Sequence, residues 1–470
     1  MEKKWGKLKA AVCLLGLVWV TVVLLPGCEK DNPPETDDPS ENYTEINEIV
    51  QQIMYFTYYW NEKIDSKLAT RFDFLKVPAQ TEPDQYFSSL LYDKTMAPAG
   101  STEYDRWSFM IPYKEFDEVM VEGEYKSYGY FLAQAPDYSV RVCFVYEDSP
   151  MDKAGIERGY ELRKLNGTDV MTLIGNKTIN DELNKESNRF LFADRKGNLL
   201  PEKTISKAVV KINPILHKEK YSVNGKTVGY IAYNSFITAS KNAITAILQE
   251  FNDVDELVFD FRYNGGGDVD VADAICEYLL PASVGTDSID FAKYTYSKRT
   301  NLYSKEIGLK DEVRKIKRNP DALNISRLFV IVSDMTASAS EEVINSLKPF
   351  VDEVVLVGTP TEGKPVGMVV FVDNSQKPNW AIAPITFRID NANGEGSYFG
   401  GINPTHRIFD DLYHNFGVDP LTLKGEACLE AVVNYVQSGS FPSSISVKSV
   451  EKEKPRMIQL KGIQIHAGCM

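Results

Sequence analysis

Histidine is the scarcest chemistry-bearing residue of this chain, with four in 470 positions, and cysteine is nearly as rare, with six. His217, His406, His414 and His466 form no pair at ligand spacing, and Cys143, Cys276, Cys428 and Cys469 stand far apart without a C-x-x-C. That pattern argues against a disulfide framework and against a metal site. Positive charge is also short. Lysine and arginine number 52 against 66 acidic residues, a net charge of −14, which argues against nucleic acid as a partner and suits a soluble body. The three consecutive glycines at 265–267 lack a following Gly-Lys-Ser/Thr, so they are no nucleotide phosphate loop. No cofactor is expected.

What is present begins with the leader. "MEKKWGKLK" is a basic head, "AAVCLLGLVWVTVVLL" an apolar stretch, and "LPGC" closes it at Cys28. Leu25, Gly27 and Cys28 resemble a bacterial lipoprotein signal, which implies cleavage before Cys28 and acylation of that residue. Cys13 then departs with residues 1–28. Several acyl chains hold firmly, each buried methylene contributing about 0.8 kcal/mol. The alternative is an uncleaved transmembrane anchor. "EKDNPPETDDPSEN", 29–42, reads as a disordered acidic tether. The expected location is the bacterial cell envelope, lipid-anchored on its periplasmic or outer face.

The remainder, 43% hydrophobic and 25% charged over the whole chain, has a globular composition and reads as a multidomain α/β protein. Residues 43–115 read as helical: Ile46, Ile49, Val50, Ile53 and Met54 share one helical face. Trp107 is expected in that core or at the junction after it. Residues 116–212 have strand composition in "YGYFLAQ" and "SVRVCFVY", then a short helix in "MDKAGI" and a strand running into Asn166-Gly167. From 213 to 436 strands and helices alternate, predicting a layered domain with a largely parallel sheet. Residues 437–470 form a tail.

Two loops of that alternating region draw the chemistry. "DFRYNGGGD" follows one buried strand, and its glycines suit a backbone that turns N–H groups toward an anion. "TASASEE" follows "RLFVIVSD" and opens a helix. Its hydroxyls could be caps for that helix, and Glu341 and Glu342 suit its positive end. The other reading is a nucleophile at a strand-to-helix turn. Ligands of α/β sheets gather at carboxyl ends of strands, where both loops sit. No histidine lies between 218 and 405 to act as base. Lys364, in the glycine-rich "VGTPTEGKPVG", is the candidate, its pKa brought down from about 10.4 by burial.

"SPMDKAGIERGYELRKLNG" resembles a PDZ domain of the bacterial protease type. That resemblance implies a groove for peptide C-termini built by strand addition, with Tyr128, Gly129, Tyr130 and Phe131 as its carboxylate-binding loop. "LVFDFRYNGGG", "TASASEE", "VGTPTEGKPVG" and "FGGINPTHRI", in that order behind it, resemble the carboxyl-terminal processing (tail-specific) serine peptidases over about residues 43 to 410. The resemblance implies a ClpP/crotonase-like core, protein or peptide substrates, Ser338 as nucleophile, and Lys364, 26 residues on, as base. It also implies oxyanion donors at Gly266 or Gly265 and at Ala339, with Thr336 and Ser340 framing the turn and capping the helix. The family often has glutamine four residues after the lysine. Here that position is Met368, whose thioether cannot replace the amide; either another group such as Thr359 or Glu362 orients Lys364, or the chain belongs to a branch that manages without the glutamine, or it is an inactive relative. Three alternatives stay open. One is an inactive PDZ scaffold, another a lipid or retinoid carrier on the same core, and the third a serine–histidine mechanism through His217 or His406.

Overall fold

The computed structural model describes residues 23–25, 42–68, 77–135, 137–325, 327–373, 379–410 and 412–441. Cys28, the tether through residue 41 and the tail beyond 441 lie outside them. Of the expected leader only Val23–Leu25 is described, a short strand paired parallel with Phe371–Asp373. Among the described residues no helix is long and apolar enough to cross a membrane.

The chain divides into two units. The first joins residues 1–117 to 289–316 and 364–400. Its helix Thr44–Thr57 buries Ile46, Val50, Ile53 and Met54, as the helical period requires, while Ile49 stays half-buried at the edge of that face. These helices do not stand alone. The same unit contains an antiparallel sheet of Glu312–Ile316, Ile289–Tyr296, Ile385–Asn391 and Val366–Met368. Trp107 is buried there near Phe399, and the Tyr58 hydroxyl donates to Asp105 Oδ2 at 2.8 Å. Lys364 opens the third segment of this unit and is 1% exposed. Met368 ends the strand that follows, half-buried.

The second unit contains residues 118–288, 317–363 and 401–470, and beside a two-stranded pairing of Glu124–Ser127 with Ala208–Lys211 it holds two larger sheets. The smaller has strands β1 (Tyr130–Gln134), β2 (Val140–Val145), β3 (Glu161–Leu165), β4 (Ser187–Ala193) and β5 (Lys203–Ser206) in sequential order. Its core gathers Leu132, Val142, Met151, Leu162, Phe190 and their neighbours. Ser149 caps the turn of helix Pro150–Lys153, accepting from the Asp152 N–H. Asn166 and Gly167, at φ 53° and 83°, make the two-residue turn in which both positions need positive φ.

The larger sheet has strands β6 (Ile215–Val223), β7 (Lys226–Tyr233), β8 (Glu256–Asp260), β9 (Arg327–Val332), β10 (Glu353–Gly358) and β11 (His406–Arg407), in that spatial order. All pairs from β7 onward are parallel. Parallel strands are covered on both faces, so they need continuous apolar runs. ELVFD of β8 is wholly buried and RLFVIV of β9 nearly so. Helices α1 (Lys241–Glu250), α2 (Val269–Leu279) and α3 (Ala339–Leu347) connect or follow these strands, and α4 (Ala427–Ser438) closes the chain order. Ile244, Ile247 and Leu248 are the buried face of α1. The mixed α/β content and the N-terminal helical segment agree with expectation.

Candidate active site

The loops after β8 and β9 leave neighbouring strands at their carboxyl ends and are stitched together. The Asn264 carbonyl accepts from the Ala337 N–H at 3.1 Å and from the Ser340 hydroxyl at 3.1 Å. The Thr336 hydroxyl donates to the Phe261 carbonyl at 2.8 Å, and Ser333 Oγ donates to the Arg262 carbonyl. Thr336 and Ser340 therefore tie one loop to the other; capping α3 is not their main task. A hydroxyl on a short stem reaches an adjacent backbone carbonyl as readily as a helix N–H, and only the packing of the loops selects between them.

Ser338 is the position that stands out. Its backbone sits at φ 55°, ψ −120°, a region that costs of order 1–3 kcal/mol for a non-glycine residue and persists where its surroundings over-determine it. Those surroundings are visible. The Ser338 N–H donates to Glu341 Oε2 at 3.1 Å, and Gly266 lies against the turn. A Cβ placed on Gly266 would stand 2.7 Å from Ser338 Cβ and 2.8 Å from both the Ala337 carbonyl and the Ala339 nitrogen. With φ at +101° as well, only glycine fits. Ser338 is 7% exposed.

Of the two glycines expected to offer an N–H, Gly266 spends its own on Asn264 Oδ1 at 2.9 Å. Among the described residues the Gly265 and Ala339 N–H groups meet no acceptor. The Asn264 amide is itself held, its Nδ2 donating to the Tyr233 carbonyl at 2.9 Å. Asn264 escaped sequence reasoning. It was visible only as the residue before the glycines, in a position where an Asx turn is ordinary.

Glu341 was also missed in part. Its charge suits the helix dipole, but Ser-x-x-Glu at a helix start is also a capping-box pattern, and the structure makes that box. Its carboxylate reaches further: Oε1 accepts from the Gly363 N–H at 2.8 Å and from the Thr361 hydroxyl. The N–H groups of Thr359 and Glu362, the expected orienters of Lys364, donate to the Val332 and Thr336 carbonyls at 3.1 and 3.0 Å. Beside this turn, burial and the nearby Glu362 push the Asp334 carboxyl up to about 6.

The two histidines considered as alternative bases lie elsewhere in the unit. His217 is on β6, one edge of the sheet, with Nε2 3.3 Å from Glu219 Oε2. His406 is on β11, the opposite edge, stacked on Phe441 at 4.3 Å. At about 4.8 Å per strand, β6 is three strands from β9 and β11 two.

The expected peptide-binding loop is placed as follows. Tyr128 and Tyr130 are buried, and Gly129 sits at φ +78° with no space for a Cβ beside Ser149. Among the described residues β1 is an edge strand, paired only with β2. The Phe131 ring lies 5.2 Å from Phe144 of β2 and 6.0 Å from Tyr263, which precedes the glycine loop. Below these rings lies a buried ionic cluster. Arg158 donates to Asp410 Oδ1 at 2.8 Å and to the Tyr263 hydroxyl at 2.6 Å. Arg262 donates to Glu426 at 2.6 and 2.8 Å and to Asp260 at 2.7 Å. Burial alone would raise the Asp410 carboxyl, but the Arg158 and Arg262 guanidiniums overcome it and hold the group well below the usual carboxylate range.

Comparison with known proteins places the family and the fold. Residues 227–408 match the model of peptidase family S41, and residues 45–109 match the peptidase S41 N-terminal domain. A CtpA-like serine protease candidate of Staphylococcus haemolyticus is 23% identical over 312 residues, 65% of this chain and 57% of that protein. A carboxyl-terminal-processing protease of Synechocystis is 24% identical over 255 residues, 53% of this chain and 55% of that one. The chain thus spans under six-tenths of the length of these relatives. The crystal structure of an S41 protease candidate from Bacteroides fragilis superposes with a TM-score of 0.61 at 22% identity, covering 87% of this chain and 99% of that one, which shows a shared fold. On these matches the chain belongs to peptidase family S41.

Proposed function

We propose that this chain is a serine endopeptidase of the carboxyl-terminal processing type, working through Ser338 and Lys364. The observation that carries the reading is Ser338 itself. It is a serine held at positive φ at the end of a parallel strand, with a glycine loop pressed so close that no side chain fits between. In this mechanism Ser338 Oγ attacks the peptide carbonyl carbon while neutral Lys364 Nζ takes its proton. The carbonyl oxygen, now negative, is received by the N–H groups of Gly265 and Ala339, and the amino end of α3 adds favourable potential. Collapse breaks the C–N bond as the Lys364 ammonium returns the proton to the leaving amine, and water then releases the acyl group.

The sheet of β1–β5 is proposed as a PDZ-like module whose edge strand β1, entered through Tyr128–Phe131, adds an extended peptide and retains its C-terminal carboxylate. Cys28 is proposed as the acylated residue anchoring the protein at the bacterial cell envelope. The test of the central reading is labelling by a serine-reactive fluorophosphonate. Wild type is expected to be labelled on Ser338, and Ser338→Ala to remain unlabelled with an unchanged thermal transition. Equal labelling of both proteins would overturn it.

A further inference from the structure

The ladder between β9 and β10 ends at the pair Val332–Gly358. Beyond it, one chain runs through residues 333–338 to the serine turn and the other through 359–363 to the lysine. Neither stretch belongs to a strand, so sheet pairing does not set where Ser338 and Gly363 lie. The Glu341 carboxylate joins them: Oε2 receives the Ser338 N–H at 3.1 Å, and Oε1 receives the Gly363 N–H at 2.8 Å together with the Thr361 hydroxyl.

Helix capping explains only part of this. A capping box needs one oxygen on the N-cap N–H, and glutamine serves there as well as glutamate. The second oxygen is spent on a different loop, 22 residues downstream. Glutamine could not take its place, because an amide offers one accepting oxygen and its NH2 would face donors. Glu341 is also fully buried. A carboxylate is costly to bury unless its oxygens are satisfied, and three donors from two loops converge on it. The same carboxylate also holds the strained serine at positive φ, which needs support from outside its own turn.

We propose that Glu341 is a positioning residue for the reaction, a carboxylate clamp that fixes the nucleophile's backbone relative to Gly363, the residue bonded to Lys364. This rests on the Ser338/Lys364 reading for its catalytic consequence, but the clamp can be observed without catalysis. In place of the missing family glutamine after the lysine, the lysine loop is held from its amino-terminal side.

The experiment uses Glu341→Gln, with Thr361→Val and Thr361→Ser as a second pair. Amide hydrogen exchange at Ser338 and Gly363 reads the clamp directly: both amides are expected to exchange at least tenfold faster in Glu341→Gln, and in parallel. Fluorophosphonate labelling and peptide turnover read the consequence. The expected result is a fall of tenfold or more in labelling rate and kcat with KM within twofold and the thermal transition within a few degrees. Thr361→Val should lose less, and Thr361→Ser should recover wild-type turnover. The pair carries the test if Glu341→Gln does not fold. Unchanged exchange at both amides, or a kcat equal to wild type in a folded variant, overturns the clamp. So does a threonine pair that behaves alike. If wild type itself is not labelled while exchange responds as expected, the peptidase reading fails and the clamp stands.

Discussion

Two buried polar regions of the second unit solve the same problem by different means. Around Ser338 the fixed charge of Glu341 meets backbone N–H groups and a hydroxyl, and the neighbouring loops meet through carbonyls, Asn264 and glycine. Around Arg158 and Arg262 the partners are full ions, with Asp260, Asp410 and Glu426 surrounding two guanidiniums. A hydrogen bond to a charged group contributes about 1.5–3 kcal/mol net, whereas stranding one partner of a buried ion pair costs about 3–5 kcal/mol. The first region is therefore built for position and the second for adhesion. It joins the β1–β5 sheet to the core sheet and to α4, and it lies directly behind Tyr263 and the glycine loop. Substitutions should separate the two: activity lost without stability in the first, stability lost in the second.

The largest effect is expected at Lys364. Lys364→Ala should lower turnover by about 10²–10⁴-fold, the usual contribution of a general base, with the fold intact. Lys364→Arg should be no better, since guanidinium stays protonated. A peptide-cleavage assay comparing these with His217→Ala and His406→Ala decides the base: retention of activity by Lys364→Ala alongside loss in a histidine variant would refute the lysine. Next comes Gly266→Ala. Its methyl would meet Ser338 Cβ at 2.7 Å and the Ala339 nitrogen at 2.8 Å, so the glycine loop and the serine turn cannot both keep their places. A fall of about 10²-fold or more in kcat is expected, comparable to losing one oxyanion donor; near wild-type kcat would mean the two loops separate easily and the first region is not built for position.

The third prediction tests adhesion. Asp410→Asn should cost about 3 kcal/mol at neutral pH by denaturant unfolding. Because the folded carboxyl lies below its ordinary range, its stabilisation is present above about pH 4 and is lost as pH falls through the folded value. The gap between wild type and Asp410→Asn should therefore be widest near neutrality and close toward acid. A gap that stays constant with pH would show that the ion pairs do not act as described.

Local chemistry was legible in the sequence. The buried strands announced themselves as apolar runs, and Asn166-Gly167 as a turn. The two loops that converge were recognisable from small residues and consecutive glycines following such runs. Each of these signals is a property of a few adjacent residues. The helical face of 46–54 was read correctly, but not that these helices share a unit with strands from 289–316 and 364–400, because a helix's apolar face does not say what will cover it. That the Gly266 N–H donates to Asn264 Oδ1 was not legible, since Gly265 and Gly266 are alike as letters.

What tertiary structure alone decided are the contacts between distant positions. Arg158 and Asp410 are 252 residues apart, Arg262 and Glu426 are 164 apart, and Glu341 meets Gly363 across 22 residues and two separate loops. Composition and periodicity report which residues prefer burial and which prefer a helix or a strand. They do not report which charge will face which, because that follows from strand order. Only once β8, β9 and β10 lie side by side do the Gly266 loop, the Ser338 turn and Gly363 come within hydrogen-bonding reach of one another's neighbours.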